Sequence, residues 1–455
     1  MIAHLIKKLL QNPFRTLYEE AGLARDIRRS ISMVVLGNIC GNLFTVLSGG
    51  SALVGYAEAL GANDFVFGVL TGMPSALTLV QIPAALLVSR TQKRKRYMLT
   101  YGAFGRFVWI LIGLIPYFMP ANPVWLRLWS VIVLVGVSSA SQSFINVSFT
   151  PWLADLVPIG IRGRWMGLRD GINAVVSVLA GLGSAWLLDN LGGYAGYTAV
   201  FVLAGIIGIA DMLCFLPVNE VRKPKGTVTS LKTAFGKILR DRPFFMFMLF
   251  WTAWSFTANM SGNYLGRYAL TEMGLSYTQF TLCSQIASAI VTVLVIRAWG
   301  RMLDRYGNKP VLWVACVVAS LTQGFYLFSV HGSAAPTLLH NMIGSFFWSA
   351  AGLAATSLLL SSSPDEHRPS YVAIFSCVTS LLGSFLGALA GGALLEFIQA
   401  TWGGAVDRYK TLVAIAISLR FGVVMFFLPR LKNEKGVTVR EMGRDLLLRA
   451  GKKPG

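Results

Sequence analysis

The strongest constraint on this chain is a recurrence: between residues 31 and 429 it returns again and again to long runs of mostly apolar residues. A helix needs about 20 such residues to cross the hydrocarbon core, and in lipid it satisfies its own backbone polar groups without water. Twelve segments meet that length, near residues 31–54, 65–88, 98–118, 124–147, 166–188, 196–217, 243–266, 276–297, 311–330, 335–360, 371–396 and 409–429. Numbered in chain order as spans 1 to 12, they predict an all-α integral membrane protein.

With 55% apolar and only 13% charged residues, the net charge of +20 does not describe a nucleic-acid-binding domain, which needs a solvated basic face with stacking aromatics. The basic residues mark topology instead, because basic loops stay in the cytosol. Arg127, Arg267, Arg408 and Lys410 lie on one side, and Arg106 and Arg420 lie within spans. All the others of the 40 lysines and arginines fall in the N-terminal segment, the loops near 90, 162, 222–242, 297–309 and 368, or the C-terminal tail. Both termini are therefore expected in the cytosol and the chain in the plasma membrane, with anionic lipid head groups attracted to its basic side. Residues 2–10 read as an amphipathic surface helix, and no cleaved signal peptide is expected.

Cys40, Cys214, Cys283, Cys316 and Cys377 sit singly inside apolar stretches, without the spacing of a metal site or a disulfide framework, and are expected to be free thiols. No phosphate-cradling glycine loop ending in Gly-Lys-Ser/Thr and no His-Glu-x-x-His occurs. An enzyme, a cofactor and transport driven by ATP hydrolysis within this chain are therefore not expected.

The basic segment 219–242 divides the spans six and six, giving a cytosolic segment 1–30, a first bundle 31–218, this linker, a second bundle 243–430 and a tail 431–455. The tail, with Val437, Val439, Met442 and Leu446 to Leu448 among basic residues, is expected to form a surface helix. The halves echo each other. Pro158 to Arg162 before span 5 matches Pro364 to Arg368 before span 11, and Ser89-Arg90 after span 2 corresponds to Asp304-Arg305 after span 8. Two parallel six-helix repeats are a recurrent transporter design.

Between spans 8 and 9 stands Gly300-Arg301-Met302-Leu303-Asp304-Arg305-Tyr306-Gly307-Asn308-Lys309, a tight basic turn with one carboxylate. Its glycines permit close helix approach and a positive-φ turn, and Asp304 at a helix end suits an arginine or a facing helix N-terminus. The decapeptide resembles the signature loop of the major facilitator superfamily, Gly-x-Leu-Ala-Asp-Arg-x-Gly-Arg-Lys, at Gly300, Asp304, Arg305, Gly307 and Lys309. Pro151 to Asp155 and Arg162-Gly163-Arg164, between spans 4 and 5, are similar to that family too. The resemblance implies two six-helix domains, alternating access, and a cavity lined chiefly by spans 1, 4, 7 and 10. It makes Gly300, Asp304, Arg305, Gly307, Lys309, Arg90, Asp155 and Arg162 the gating residues. In the first half Ala85, Ser89 and Gln92 replace the family's glycine, aspartate and glycine, so gating is expected to be asymmetric.

On the four implied cavity spans, Asn38 and Asn42, Gln142 and Asn146, and Asn259 and Asn263 are each spaced i, i+4 and share a helix face. Span 10 adds His340 and Trp348, and span 7 adds Trp251 and Trp254. Amides beside aromatic surfaces suit a hydroxyl-rich, sugar-like solute, although amides also bond helix to helix in a membrane. Asp170, Asp211 and Glu396 are the carboxylates available for proton coupling; a structural ion pair is the competing role for the charges within spans. The function expected is secondary transport of a small organic solute by a monomer, coupled to H+ or Na+ as symporter or antiporter. A drug or metabolite exporter, a non-transporting assembly factor and a lipid transporter are the alternatives.

Overall fold

A computed structural model describes residues 14, 18, 25–91, 93–218, 231–364, 368–431 and 436–450. The expected surface helix at 2–10 and most of the linker lie outside them. The chain divides into two compact units, one of Met1–Gly61 and Leu77–Gly226, the other of Ala62–Ala76 and Thr227–Gly455. The N-terminal part of span 2 thus groups with the second unit. The helical ladder changes at Leu77–Val80, a 3-10 turn following Pro74, which removes one backbone donor.

In the first unit, span 1 is Arg25–Leu47 continued by Gly50–Ala59. Spans 3 to 6 are Arg94–Phe118, Val124–Leu156, Ile159–Leu191 and Gly193–Cys214. Its core gathers Ile31, Val34, Met98, Ile145, Trp152, Trp165 and Phe215, and reaches Phe14 and Tyr18.

In the second unit, span 7 is Arg242–Thr271, started by Asp241, whose carboxylate accepts from Phe244 N, and by a proline in the first turn. Spans 8 and 11 are each interrupted by a π-helical turn, Leu282–Ile286 and Thr379–Phe385. Span 9 runs Asn308–Leu321 and ends in 3-10 geometry, span 10 is Ala335–Ser361 and span 12 is Arg408–Phe427. Ala350, Ala351 and Ala354 of span 10 are buried with Phe247, Phe250 and Trp254 of span 7. Small residues against rings let helices approach where lipid offers no hydrophobic drive for association. The tail helix is Val439–Ala450, as the sequence leads one to expect.

All twelve predicted spans fall on helices, and among the described residues ten helices are long and apolar enough to cross a membrane. The helices at spans 7 and 8 are outside that ten. Span 7 carries Asn259, Asn263 and Ser255 among its apolar residues, which lowers its apolarity.

Candidate functional site

In the first unit, the amides of span 1 turn to span 5. Asn173 Nδ2 donates to Asn38 Oδ1 at 2.6 Å, and Asn42 Nδ2 donates to Asn173 O at 2.9 Å and Ser177 Oγ at 2.8 Å. These two residues stitch helices together. The pair on span 4 differs: Gln142 Oε1 accepts from Arg106 Nη1 at 2.8 Å, and Gln142 Nε2 donates to the exposed Asn146 at 3.0 Å. Arg106 also pairs with Asp211, Nη2 to Oδ2 at 3.2 Å, and both side chains are buried. An unbroken polar chain therefore runs from a buried carboxylate to an exposed amide. Glycines make room for it. A Cβ at Gly208 would collide with the Arg106 side chain, and one at Gly41 would lie 2.9 Å from Asp211 Oδ2.

In the second unit, a polar cavity of about 300 Å³ opens among spans 7 to 10, lined by Asn259, Gln323, Tyr326, His340, Asn341 and Trp348 with Ser284 and Phe280. Trp348 packs at a tilt against the fully buried Trp254, ring centroids 4.4 Å apart, and Trp254 against Trp251 at 5.1 Å, so the three tryptophans form one bank beside the cavity. Asn259 Nδ2 donates to Ser255 O at 2.8 Å and to Ser384 Oγ at 3.4 Å. Ser284 and Ser384 both sit in the π-helical turns, which re-aim side chains that regular helix would send elsewhere. Asn263 Nδ2 instead returns to Asn259 O on its own helix, at 3.0 Å.

The same unit encloses a cluster on Asp64, whose carboxylate accepts from Arg267 at 2.9 Å and Arg408 at 2.7 Å. Arg267 also reaches Ala62 O at 2.8 Å, and Tyr264 donates to Ala388 O at 2.7 Å. Glu396 joins here by accepting from Phe65 N at 3.1 Å. Asp170 is exposed and pairs with its neighbour Arg169 at 2.7 Å.

The signature loop turns at Gly307, where φ is +86°, a value that glycine adopts without steric cost. Lys309 Nζ donates to Pro429 O at 2.8 Å and Leu431 O at 2.7 Å, capping the end of span 12. Arg305 pairs with Asp445 of the tail helix, while Gly300 lies within the helix of span 8 and Asp304 is exposed. In the first unit Arg162 donates to Val157 O at 3.1 Å, Arg90 lies in the last turn of Gln81–Thr91, and Asp155 lies on the last turns of Val124–Leu156 with its side chain outside the described set.

The family model of the Major Facilitator Superfamily matches residues 34–388 and 298–450. The chain belongs to this superfamily. Solved structures similar to it include the nucleoside transporter NupG, at 12% identity and a TM-score of 0.66, covering 89% of this chain and 99% of that one. An auto inhibited POT family peptide transporter follows at 11%, 0.69, 90% and 99%, and a D-xylose-proton symporter at 15%, 0.62, 90% and 99%. No curated protein matches the sequence. Family and fold together make this a multi-pass membrane protein with a transporter architecture rather than an enzyme. Within it, sequence reasoning missed Asp64, Arg267 and Arg408 as a cluster, because Asp64 reads locally as a helix start and its partners lie more than 200 residues away. It also missed Gln323, one uncharged amide on an otherwise apolar span.

Proposed function

We propose that the protein is a secondary transporter that moves a small, hydroxyl-bearing organic solute across the plasma membrane by alternating access, with both termini in the cytosol. The observation that carries this reading is the polar cavity of the second unit. Amides of Asn259, Gln323 and Asn341 stand beside the Trp348 surface, in a cavity among spans 7 to 10. Polar groups in a membrane interior are costly and concentrate where something polar must pass.

Asp211 is the coupling carboxylate of this proposal. It is buried, and its partner Arg106 holds Gln142 with the other arm of the guanidinium. Protonating Asp211 would free Arg106 to pull on Gln142, so a proton and a solute contact would share one arginine. Asp170 is solvated and Glu396 serves a backbone amide, which leaves neither so placed. The loop from Gly300 to Lys309 is the gate element.

Proteoliposomes carrying an internal pH dye and a radiolabelled panel of sugars, amino acids, organic acids and lipophilic cations test this. Solute uptake with proton influx, the influx lost in Asp211→Asn, is the expected result. Uptake with no proton flux would remove the coupling role and keep transport. No uptake of any member would overturn the transporter reading.

A further inference from the structure

The two units treat a buried arginine differently. In the first, between spans 3 and 6, Arg106 is neutralised by Asp211 at 3.2 Å. In the second, between spans 9 and 12, Arg420 is wholly buried, and its contacts are the neutral Thr257 O at 3.0 Å and Gln323 Oε1 at 3.3 Å. Its Nε and Nη1 are enclosed without a hydrogen-bond partner, and among the described residues no carboxylate pairs with it. A full charge inside a membrane domain without a counter-ion is strongly disfavoured. A group of opposite charge near it would offset that cost.

The route for that approach is Gln323. Its Oε1 accepts from Ser261 Oγ at 2.6 Å as well as from Arg420, so both protein donors are spent on the oxygen. The amide is thereby locked with Nε2 outward, toward Gly262, which lines the cavity: a Cβ there would lie 3.8 Å from that nitrogen. An amide fixed by its oxygen presents only donors. These donors are polarised by the cation bonded behind them. Asn259, one turn from Gly262 on span 7, has the opposite polarity, because its two amide protons go to Ser255 O and Ser384 Oγ, leaving Oδ1 to accept. Among the described residues no carboxylate lines the cavity.

We infer that the solute of this cavity is a small hydroxycarboxylate, its anionic group on Gln323 with Arg420 as counter-charge and its hydroxyl on Asn259. The inference rests on the transporter reading and narrows it from hydroxyl-bearing solutes in general to acids among them. Arg420 acts through Gln323 and is a positioning residue; Gln323 makes the contact.

The test compares acids with their neutral counterparts, glycerate with glycerol and lactate with propane-1,2-diol, by thermal-shift titration of the purified full-length protein in detergent. Glycerate and lactate should stabilise the wild type and the two alcohols should not. Gln323→Glu supplies Arg420 with an internal carboxylate of the same size, so it should fold at least as well. It should bind glycerate about ten- to a hundredfold more weakly, the range for a lost charge-assisted bond. Ser261→Ala, a milder change, frees the amide to turn and should weaken glycerate without creating affinity for glycerol. Equal response to acid and alcohol, no response to either acid, or undiminished glycerate binding by Gln323→Glu would each overturn the inference. Uptake of glycerol but not glycerate by proteoliposomes would also overturn it while leaving the transporter reading intact. Glycerate-dependent stabilisation in a protein that moves no solute would do the reverse.

Discussion

Arg305 of the signature loop and Asp445 of the tail helix form an ion pair of 2.7 Å, and the hydroxyl of the neighbouring Tyr306 donates to the same carboxylate oxygen at 2.5 Å. The loop that defines the family is thus fastened to the last helix of its own unit. Both partners of the ion pair are more than a third exposed, so the pair contributes little to global stability, about 0.5 kcal/mol or less. Asp445→Asn should therefore leave the melting temperature nearly unchanged and loosen the tail helix only slightly, because Met442 stays buried in the core. Limited trypsin digestion should cut at Arg440 and Arg444 at most about twofold faster than in the wild type.

The tail helix begins with a reciprocal cap, Glu441 N to Thr438 Oγ1 at 3.2 Å and Thr438 N to Glu441 Oε2 at 2.8 Å. The bonds from Thr438 hold the Glu441 carboxyl below its ordinary value of 4.5. A depressed acid stabilises the folded form above its ordinary pKa and loses that contribution as pH falls through the lowered one. Amide exchange across residues 439–450, corrected for intrinsic rates, should be unaffected by pH above the ordinary carboxyl value of 4.5 and accelerate as the pH falls below it. Thr438→Ala should remove the difference.

Lys309 is one of a pair in function. In the first unit Lys95 Nζ donates to Leu216 O at 2.6 Å and Val218 O at 2.8 Å, closing the end of span 6 as Lys309 closes span 12. An ammonium there answers orphan carbonyls and the negative helix end together. Lys95→Met and Lys309→Met should each cost about 1 to 2 kcal/mol in denaturant unfolding. Unchanged stability in either variant would remove the assignment.

These lysines also show where sequence stops being legible. The twelve spans, the two repeats and the signature loop follow from length, apolarity and one motif, because each is local. The register of the repeats would put Arg94 opposite Lys309, yet the chain uses Lys95, one residue later. The loop around Gln92 lacks the glycine that sets the turn in the second half. Site polarity is equally hidden: Asn38 and Asn42 have the same i, i+4 spacing as Gln142 and Asn146, and only the presence of Asn173 and Ser177 opposite them ties the first pair to another span. Gln323 gives no periodic signal at all. Its meaning comes from Ser261 and Arg420, more than 60 residues away on either side.

Close packing at glycine makes the Asp64 cluster testable. A Cβ at Gly392 would stand 2.5 Å from Asp64 O, which is backbone and cannot step aside. Gly392→Ala should therefore destabilise the protein by about 1 to 3 kcal/mol, the usual cost of overpacking. Gly404→Ala, on a stretch where a Cβ meets open space, should lie within about 0.5 kcal/mol of the wild type. Thermal unfolding in one detergent compares them directly.

Asp211 and Arg106 give the sharpest prediction, because removing one partner should cost more than removing both. Asp211→Asn leaves the Arg106 guanidinium buried without its carboxylate, and should cost about 3 to 5 kcal/mol. Arg106→Met in the Asp211→Asn background removes that stranded charge, so the double variant should recover much of the loss. The coupling energy from the double-mutant cycle measures the pair. Proton flux separates structure from mechanism: the recovered double variant should fold and insert but carry no solute-dependent proton current. A double variant that still couples proton to solute would show that the carboxylate of Asp211 holds the bundle together and nothing more.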